Sequence, residues 1–324
     1  MKTEKGGALL AVMWLAAGLS AIAFSVASTV RGETERAETS RDAVRAHYLA
    51  AGAIDRALLY IYWGPAHRNP DGTPRYWAPG VGALRLPFPT GEVIVEIVPE
   101  ASRMNVNTAR PEDLMRLMQV LGLPPERAQA IVAGIVDWRT PMPPGQIGPF
   151  DSLYLSRAPS FRARHASFEE IEELMLVAGV TTELFHGAYE RDPEGRLLPR
   201  SGLKRCLSVW GANDRFDVLG AEPAVLMAAG APPDVAAALV RVRRENPMVF
   251  MAQPALLNQI AGPAAGRLRI GGNSIYTLRA TATLRLPDGR LSDVRRSVAA
   301  TVKFNLPDQN PPIETLRWYE NAGM

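Results

Sequence analysis

The first thirty residues show the clearest pattern of apolar and polar positions in the chain. Gly6 to Val30 contains no charged residue, and as a helix it would be roughly 37 Å long at about 1.5 Å per residue. This length is enough to cross a hydrocarbon core of about 30 Å. Lys2 and Lys5 precede the segment, so the positive-inside rule places the amino terminus in the cytoplasm and the rest of the chain outside it.

Three interpretations of this apolar segment are open. A cleaved secretory signal would use a small-x-small site such as Ala21-Ile-Ala23. A plain signal anchor needs only the apolar span. A prepilin-like leader would be a short basic peptide that ends in glycine and is removed there, so that the apolar helix stays on the mature protein. Lys5-Gly6-Gly7, followed at once by Ala-Leu-Leu, suits this third interpretation.

The helical pattern continues past the apolar segment. Arg31 to Trp63 contains no proline, and apolar residues recur at helical spacing. These positions are Val44, Tyr48, Ala51, Ile54, Leu58 and Ile61. The sequence therefore predicts one helix from Gly7 to about Trp63, roughly 85 Å long. A signal-peptide cut would destroy this continuity, whereas a prepilin-type cut would preserve it.

Strand patterns flank a long helix-rich block. Residues 64–91 are rich in Pro and Gly and are predicted to lack regular structure. Residues 92–98 alternate like a half-buried strand, and residues 274–286 and 291–304 read as two strands around the turn sequence Pro287-Asp-Gly-Arg290. The predicted fold is therefore α+β. A small sheet from residues 92–100 and 273–305 carries an inserted α-domain, residues 101–270, and a tail, residues 306–324, follows.

The helix-rich block contains an internal repeat. Arg103–Met115 parallels Arg215–Met227, with Arg, Val, Ala, Pro, Leu and Met at matching positions. Each copy, residues 103–138 and 215–244, is predicted to form a helix, a Gly-x-Pro-Pro turn and a second helix. A looser third pair of helices is predicted at residues 168–177 and 181–189.

The repeat motif contains polar residues with a predicted structural role. They are Asn105, Asn107 and Thr108 in the first copy and Asp217 in the second. Thr108 and Ser167 are predicted N-caps, because a hydroxyl oxygen can accept an unpaired N–H of the first helical turn.

Composition excludes several kinds of chemistry. Cys206 is the only cysteine, so no intramolecular disulfide or cysteine-based metal cluster can form. The four histidines lack ligand spacing, and no nucleophile–base pattern is present. We therefore expect neither an enzyme nor a small-molecule substrate. The formal net charge of +3 is small for a chain of 324 residues and does not indicate a nucleic-acid-binding protein.

The motif Asn-Val-Asn-Thr-Ala before a helical pair also resembles the helix-hairpin-helix modules of DNA-uptake receptors. Those modules bind phosphate through the N–H groups of a Gly-x-Gly hairpin. The hairpins here read Gly-Leu-Pro-Pro-Glu126 and Gly-Ala-Pro-Pro-Asp234. Proline has no N–H, and a carboxylate repels phosphate. No nucleic-acid partner is expected, and a membrane-anchored DNA receptor of competence remains the alternative function.

A set of segments, in order along nearly the whole chain, resembles the general secretion pathway protein K family, the K minor pseudopilins of type II secretion systems. The segments are Lys5–Leu10, Leu49–Leu58, Met104–Ala109, Ile135–Trp138, Ala166–Ile171, Val180–Leu184 and Tyr276–Ala282.

The resemblance implies a pilin-like fold, in which a long amino-terminal helix packs on a small antiparallel sheet and a helix-hairpin-helix or SAM-like α-domain is inserted between strands. It implies a leader, residues 1–6, that prepilin peptidase removes between Gly6 and Gly7. Residues 7–30 would cross the inner membrane once, and residues 31–63 would continue the helix in the periplasm with the bulk of the chain.

The resemblance also implies a function and partners. A complex with minor pseudopilins I and J would sit at the tip of the pseudopilus and initiate its assembly for protein export across the outer membrane. Most pilin-like subunits carry Glu at mature position five, where this chain has Ala11. The K family resembles this chain in lacking that Glu, which suits a first subunit with none above it.

One implied cofactor is calcium. K pseudopilins carry an acidic, Gly-containing calcium loop after the Asp-Trp end of a helix. Calcium takes six to eight oxygen ligands, and the corresponding segment here offers two carboxylates, Asp137 and Asp151, with Arg139 between them. A calcium site and an ordinary Pro-rich loop are both open, and the second is favoured, so that no cofactor is expected.

Overall fold

The computed structural model describes residues 7–143, 145–191, 194–306 and 308–322. Its first element is helix α1, Gly7–Trp63, which is continuous over 57 residues. This confirms the predicted single helix. The amino-terminal part of α1 is exposed, and it contains a window of mean hydropathy 2.2 that is long and apolar enough to cross a membrane.

The strands that the structure describes form one main sheet and three small pairs. In chain order they are β1 (Ala83–Phe88), β2 (Gly91–Pro99), β3 (Met104–Asn105), β4 (Gly187–Arg191), β5 (Leu197–Ser201), β6 (Leu207–Ser208), β7 (Phe216–Asp217), β8 (Leu268–Arg269), β9 (Ile275–Arg285), β10 (Leu291–Phe304) and β11 (Ile313–Tyr319). The main sheet has the order β1-β2-β9-β10-β11, and each neighbouring pair is antiparallel.

Two strands of the main sheet correct the sequence analysis. β1 lies inside the segment that was predicted to lack regular structure, and it pairs with β2 at one edge of the sheet. Edge strands tolerate proline, which explains how Pro87 fits in β1. β11 lies in the predicted tail and pairs with β10 at the other edge. Most of its side chains are exposed or half-buried, so it lacks a strong apolar pattern.

The helix packs on the sheet through small residues. Ala46, Ala50, Ala53 and Ala57 are fully buried and recur at the spacing of one helix face. The sheet face against them is apolar, and fully burying a Val or Leu side chain stabilises a fold by about 1.5–3 kcal/mol. Its buried residues include Val93, Val95, Ile97, Leu278, Ala280, Val298, Ala300 and Val302.

A helical domain is inserted between β2 and β9, which confirms the predicted architecture. It has its own apolar core. Its helices are α2 (Pro111–Val120), α3 (Pro125–Arg139), α4 (Asp151–Leu155), α5 (Thr182–His186), α6 (Leu203–Cys206), α7 (Pro223–Ala228), α8 (Pro233–Glu245), α9 (Val249–Ala252) and α10 (Ala255–Ala261), with 3-10 helices at Glu100–Ser102, Ile171–Leu176 and Gly262–Arg267.

The repeat forms two helical pairs, α2 with α3 and α7 with α8. The turn glycines Gly122 and Gly230 have φ angles of 81° and 103°, which L side chains rarely adopt. In each copy the next helix begins with a proline at its first position, Pro125 or Pro233, where a missing N–H costs no hydrogen bond.

Three local predictions in this domain are wrong. The N-cap of α2 is Arg110 rather than Thr108, and the 3-10 helix near Ser167 is capped by Glu170 through a capping box. The third helical pair is shorter than predicted. Its first member is a 3-10 helix, and its second, α5, ends at His186, where the chain continues as β4.

Candidate assembly interface

The exposed face of α1 beyond the apolar segment is a candidate interaction surface. It consists of Val44, Tyr48, Leu59 and Tyr62, each between 44% and 71% exposed. At 3.6 residues per turn these positions lie within about 60° around the helix axis, opposite the buried alanines. We call this set the outer face of α1.

The centre of the outer face is small and partly polar. Gly52 lies beside it, and a Cβ atom added there would meet no atom within 4 Å. Asp55 is exposed within the face. Exposed aromatic and aliphatic side chains around a small residue allow a second helix to approach closely. The face therefore has the shape of a helix-packing surface.

The two residues that concern processing lie at the start of the chain. Gly7 is the first residue of α1, and Ala11 is exposed in its second turn. Gly6 lies outside the described residues, so cleavage between Gly6 and Gly7 stays a prediction. That Ala11 is the fifth residue of the mature chain stays a prediction as well.

The repeat motif residues hold loops together. Asn105 and Asp217 stand at equivalent positions, and each accepts the backbone N–H two residues later through Oδ1 at 2.9 and 3.1 Å. Asn105 also donates Nδ2 to the carbonyls of Val209 and Gly211. Asp217 accepts instead, from the backbone N–H of Gly271 and from Asn273 Nδ2. The side chain at this position is therefore an Asn where its neighbours are carbonyl acceptors, and an Asp where its neighbours are N–H donors.

The remaining motif residues contact other segments of the helical domain. Asn107 forms two hydrogen bonds with the backbone of Phe168, one at 3.0 Å and one at 2.7 Å. Thr108 Oγ1 lies 2.5 Å from Asn213 Oδ1. These bonds connect segments separated by 61 and 105 residues in sequence. These side chains are engaged in hydrogen bonds within the protein, and their structural role stays a prediction.

Two arginines bind equivalent carbonyls in the two repeat copies, and the sequence did not indicate this role for either. Arg139 Nη1 donates to the carbonyl of Val106, and Arg243 Nη1 donates to the equivalent carbonyl of Val218, each at 2.6 Å. Burial lowers the pKa of both guanidinium groups below the ordinary value. The arginines are not aligned in sequence, because Arg243 lies one helical turn earlier in its helix.

The segment after α3 brings Asp137, Asp151 and His165 together. The Nε2 atom of His165 lies 3.2 Å from Asp151 Oδ2, and its Nδ1 atom lies 3.1 Å from the carbonyl oxygen of Asp137. Burial raises the pKa of Asp137. Burial also raises that of Asp151, but hydrogen bonds, first from Gly148, hold it below the ordinary value.

This donor set does not fit calcium. The Asp151 oxygens already accept hydrogen bonds, and an imidazole nitrogen rather than an oxygen stands between the two aspartates. Calcium would need six to eight oxygen ligands. Within the described part of the chain, no group of three His, Cys, Asp or Glu side chains is placed to hold a metal ion. The Asp137 Oδ2 atom is buried and has no hydrogen-bond partner in the described structure. It would supply only one of the oxygen ligands that calcium needs.

The chain is similar to known proteins in sequence and in fold. Residues 95–188 match the family model for protein K of the type II secretion system. The type II secretion system protein K of Pectobacterium carotovorum is 27% identical over 215 residues, 60% of this chain and 62% of the relative. In these matched regions the chain is similar to protein K of type II secretion systems.

A second member of the protein K family, from Pseudomonas aeruginosa, is 32% identical over 98 residues, which cover 27% of this chain and 29% of the relative. The chain therefore spans less than two thirds of either of these relatives in the matched region. Its fold resembles a chain in the crystal structure of the GspK-GspI-GspJ complex from the type II secretion system of enterotoxigenic Escherichia coli. The TM-score is 0.55 at 16% identity, over 87% of this chain and 98% of that one.

Proposed function

We propose that the chain is a minor pseudopilin that sits at the tip of the type II secretion pseudopilus and initiates its assembly for protein export across the outer membrane. The observation that carries the proposal is the two-sided α1. One face is buried by alanines against the sheet, and the outer face stays exposed. The similarity of residues 95–188 to protein K and the fold support it, and the proposed role is structural rather than enzymatic.

The proposed partners are the I and J minor pseudopilins, which form a complex with the K protein in the similar crystal structure. Pilin-like partners bring long helices of their own, and the outer face of α1 would pack against them through Tyr48, Leu59 and Tyr62. Aromatic residues at such interfaces contribute large contact areas at a low cost in side-chain entropy. Prepilin peptidase would cut between Gly6 and Gly7 before this assembly.

The proposed location is the inner membrane, crossed once, with the amino terminus in the cytoplasm and the bulk of the chain in the periplasm. The apolar length of α1 and the lysines before it support this orientation. Nucleic acid is not proposed as a partner. Both hairpin turns lead into a helix whose first residue is proline, so the turn lacks the N–H groups that would bind phosphate.

Co-purification of the chain with the I and J pseudopilins of its host tests the proposal. Tyr48→Glu places a charge on the outer face and is expected to reduce recovery of the partners at least tenfold, because burying an unpaired carboxylate is costly. Tyr189→Glu is the matched control. Both tyrosines are 71% exposed, but Tyr189 lies in β4 of the inserted helical domain and not on α1.

The control variant is expected to recover both partners at the level of the unmodified chain. Failure of the unmodified chain to associate with either pseudopilin would contradict the proposed function. Equal recovery with Tyr48→Glu and Tyr189→Glu would show that the outer face is not the interface. Circular dichroism of both variants checks that α1 remains folded.

A further inference from the structure

The Asp151 carboxylate is closed off by hydrogen bonds from the protein. Its side chain is buried. The backbone N–H of Gly148 donates to Oδ2 at 2.9 Å, and that of Ala163 donates to Oδ1 at 3.1 Å. The Nε2 atom of His165 lies 3.2 Å from both oxygens. Each oxygen therefore has a backbone donor and shares the imidazole, which leaves little lone-pair capacity for another ligand.

His165 connects two ends of the Pro-rich segment. Its Nδ1 atom lies 3.1 Å from the carbonyl oxygen of Asp137, near the end of α3, while its Nε2 atom faces Asp151, the first residue of α4. Its φ angle is 47°, and no other non-glycine residue in the described ranges has a positive φ. Such a conformation is retained where the surroundings determine it strongly.

Gly148 shows how closely these groups pack. A Cβ atom added there would lie 2.5 Å from His165 Cε1 and 3.0 Å from Asp137 Oδ1. The imidazole and the Asp137 carboxylate thus both lie against the backbone of Gly148. The imidazole is thus packed beside both aspartates, against the Asp151 carboxylate and the main-chain carbonyl of Asp137.

We propose that His165 takes the place of a metal ion in this chain and fastens the segment between α3 and α4 to Asp151 without calcium. A calcium ion holds a loop by collecting oxygen ligands from several points of it. With a proton on each nitrogen, the ring donates from Nε2 to the Asp151 carboxylate and from Nδ1 to the main-chain carbonyl of Asp137. The Asp151 oxygens also accept hydrogen bonds from the main-chain N–H groups of Gly148 and Ala163. This inference does not depend on the assembly role.

Calcium titration of the full-length unmodified chain in detergent tests the proposal first. Isothermal titration calorimetry is expected to show no binding up to millimolar calcium. The thermal midpoint is expected to be the same, within about 1 °C, in calcium and in chelator, because a ligand that binds only the folded state would raise it. Micromolar binding together with a calcium-dependent rise of the midpoint would overturn the proposal, and this result needs no variant.

Substitution of the ring gives the second arm. His165→Gln is expected to lower the thermal midpoint by about 5 °C or more, because it leaves the buried Asp151 with one fewer donor. His67→Gln is the matched control, since the Nδ1 atom of His67 also lies 3.1 Å from a backbone carbonyl, that of Trp63, but on the surface. A fall of no more than about 1 °C is expected there.

The thermal midpoints of the two variants are compared with each other. An effect of His165→Gln no larger than that of His67→Gln would overturn it. If His165→Gln fails to fold, the fall exceeds the expected one, and the calcium titration of the unmodified chain still decides whether a metal is involved.

Discussion

Arg267 donates to both carboxylate oxygens of Asp113, although 154 residues separate them in sequence. The Nη1–Oδ1 and Nη2–Oδ2 distances are 3.3 and 2.9 Å, and the two side chains are only 19% and 1% exposed. Asp113 lies in α2 of the first repeat copy, and Arg267 directly precedes β8, which pairs with β7 of the second copy. A bidentate ion pair therefore joins the first copy to the segment that leads into β8, which in turn pairs with the second copy.

Removal of the Asp113 charge is expected to destabilise the helical domain. Asp113→Asn leaves Arg267 without its bidentate carboxylate partner, and breaking such a buried pair costs about 3–5 kcal/mol. The free energy of unfolding, from denaturant titration followed by fluorescence, measures the loss. Glu112→Gln is the control, because Glu112 is exposed in the same helical turn, and a change below about 0.5 kcal/mol is expected there. Equal losses would contradict the importance of the pair.

The same carboxylate predicts an acid dependence. Burial alone would raise the pKa of Asp113. The hydrogen bonds from Arg267 and Arg110 outweigh this effect, so that the pKa lies below the ordinary value of 3.8. A lowered pKa contributes stability that is present above the unfolded value and is lost as the pH falls through the folded one. The gap in unfolding free energy between the unmodified chain and Asp113→Asn is therefore expected to narrow below about pH 4. A constant gap down to pH 2 would contradict this assignment.

A larger side chain on the buried face of α1 is expected to destabilise the protein, whereas the same side chain on an exposed face is not. Ala53 is fully buried against the sheet, and Ala53→Leu inserts three carbon atoms where no space exists, at a cost of about 1–3 kcal/mol. Ala37→Leu is the control, because Ala37 is exposed in the same helix. Thermal unfolding of both variants in detergent provides the comparison. A stable Ala53→Leu variant would show that the helix is not held on the sheet as described.

The sequence predicted those parts of the fold that have strong, local patterns. The unbroken helix to Trp63 and the turn Pro287–Arg290 each depend on residues close together in the chain. The edge strands were missed because their pattern is weak. β1 contains a proline, and the side chains of β11 are exposed or half-buried. β11 also has a contact outside the sheet, because Arg317 forms an ion pair with Glu170 of the helical domain.

The site was predicted less completely, since its contacts join distant residues. Asp137 and Asp151 were selected as acidic residues in one loop, but His165 follows Asp151 by 14 residues, and nothing in its spacing indicates that the ring lies between them. Arg139 was noted only as a charge opposed to calcium, whereas its guanidinium is bound to main-chain carbonyls of Val106 and Ala109. Such partners become visible only when the chain is folded.

The central claim is that α1 stays on the mature protein as one helix that anchors a pseudopilin. The most direct test is the intact mass and amino-terminal sequence of the mature protein, purified from the membranes of its host. We expect the protein to begin at Gly7, so that only the short basic leader has been removed. A protein that begins at Phe24 would have lost most of the apolar part of α1 to signal peptidase, and this result would contradict the account.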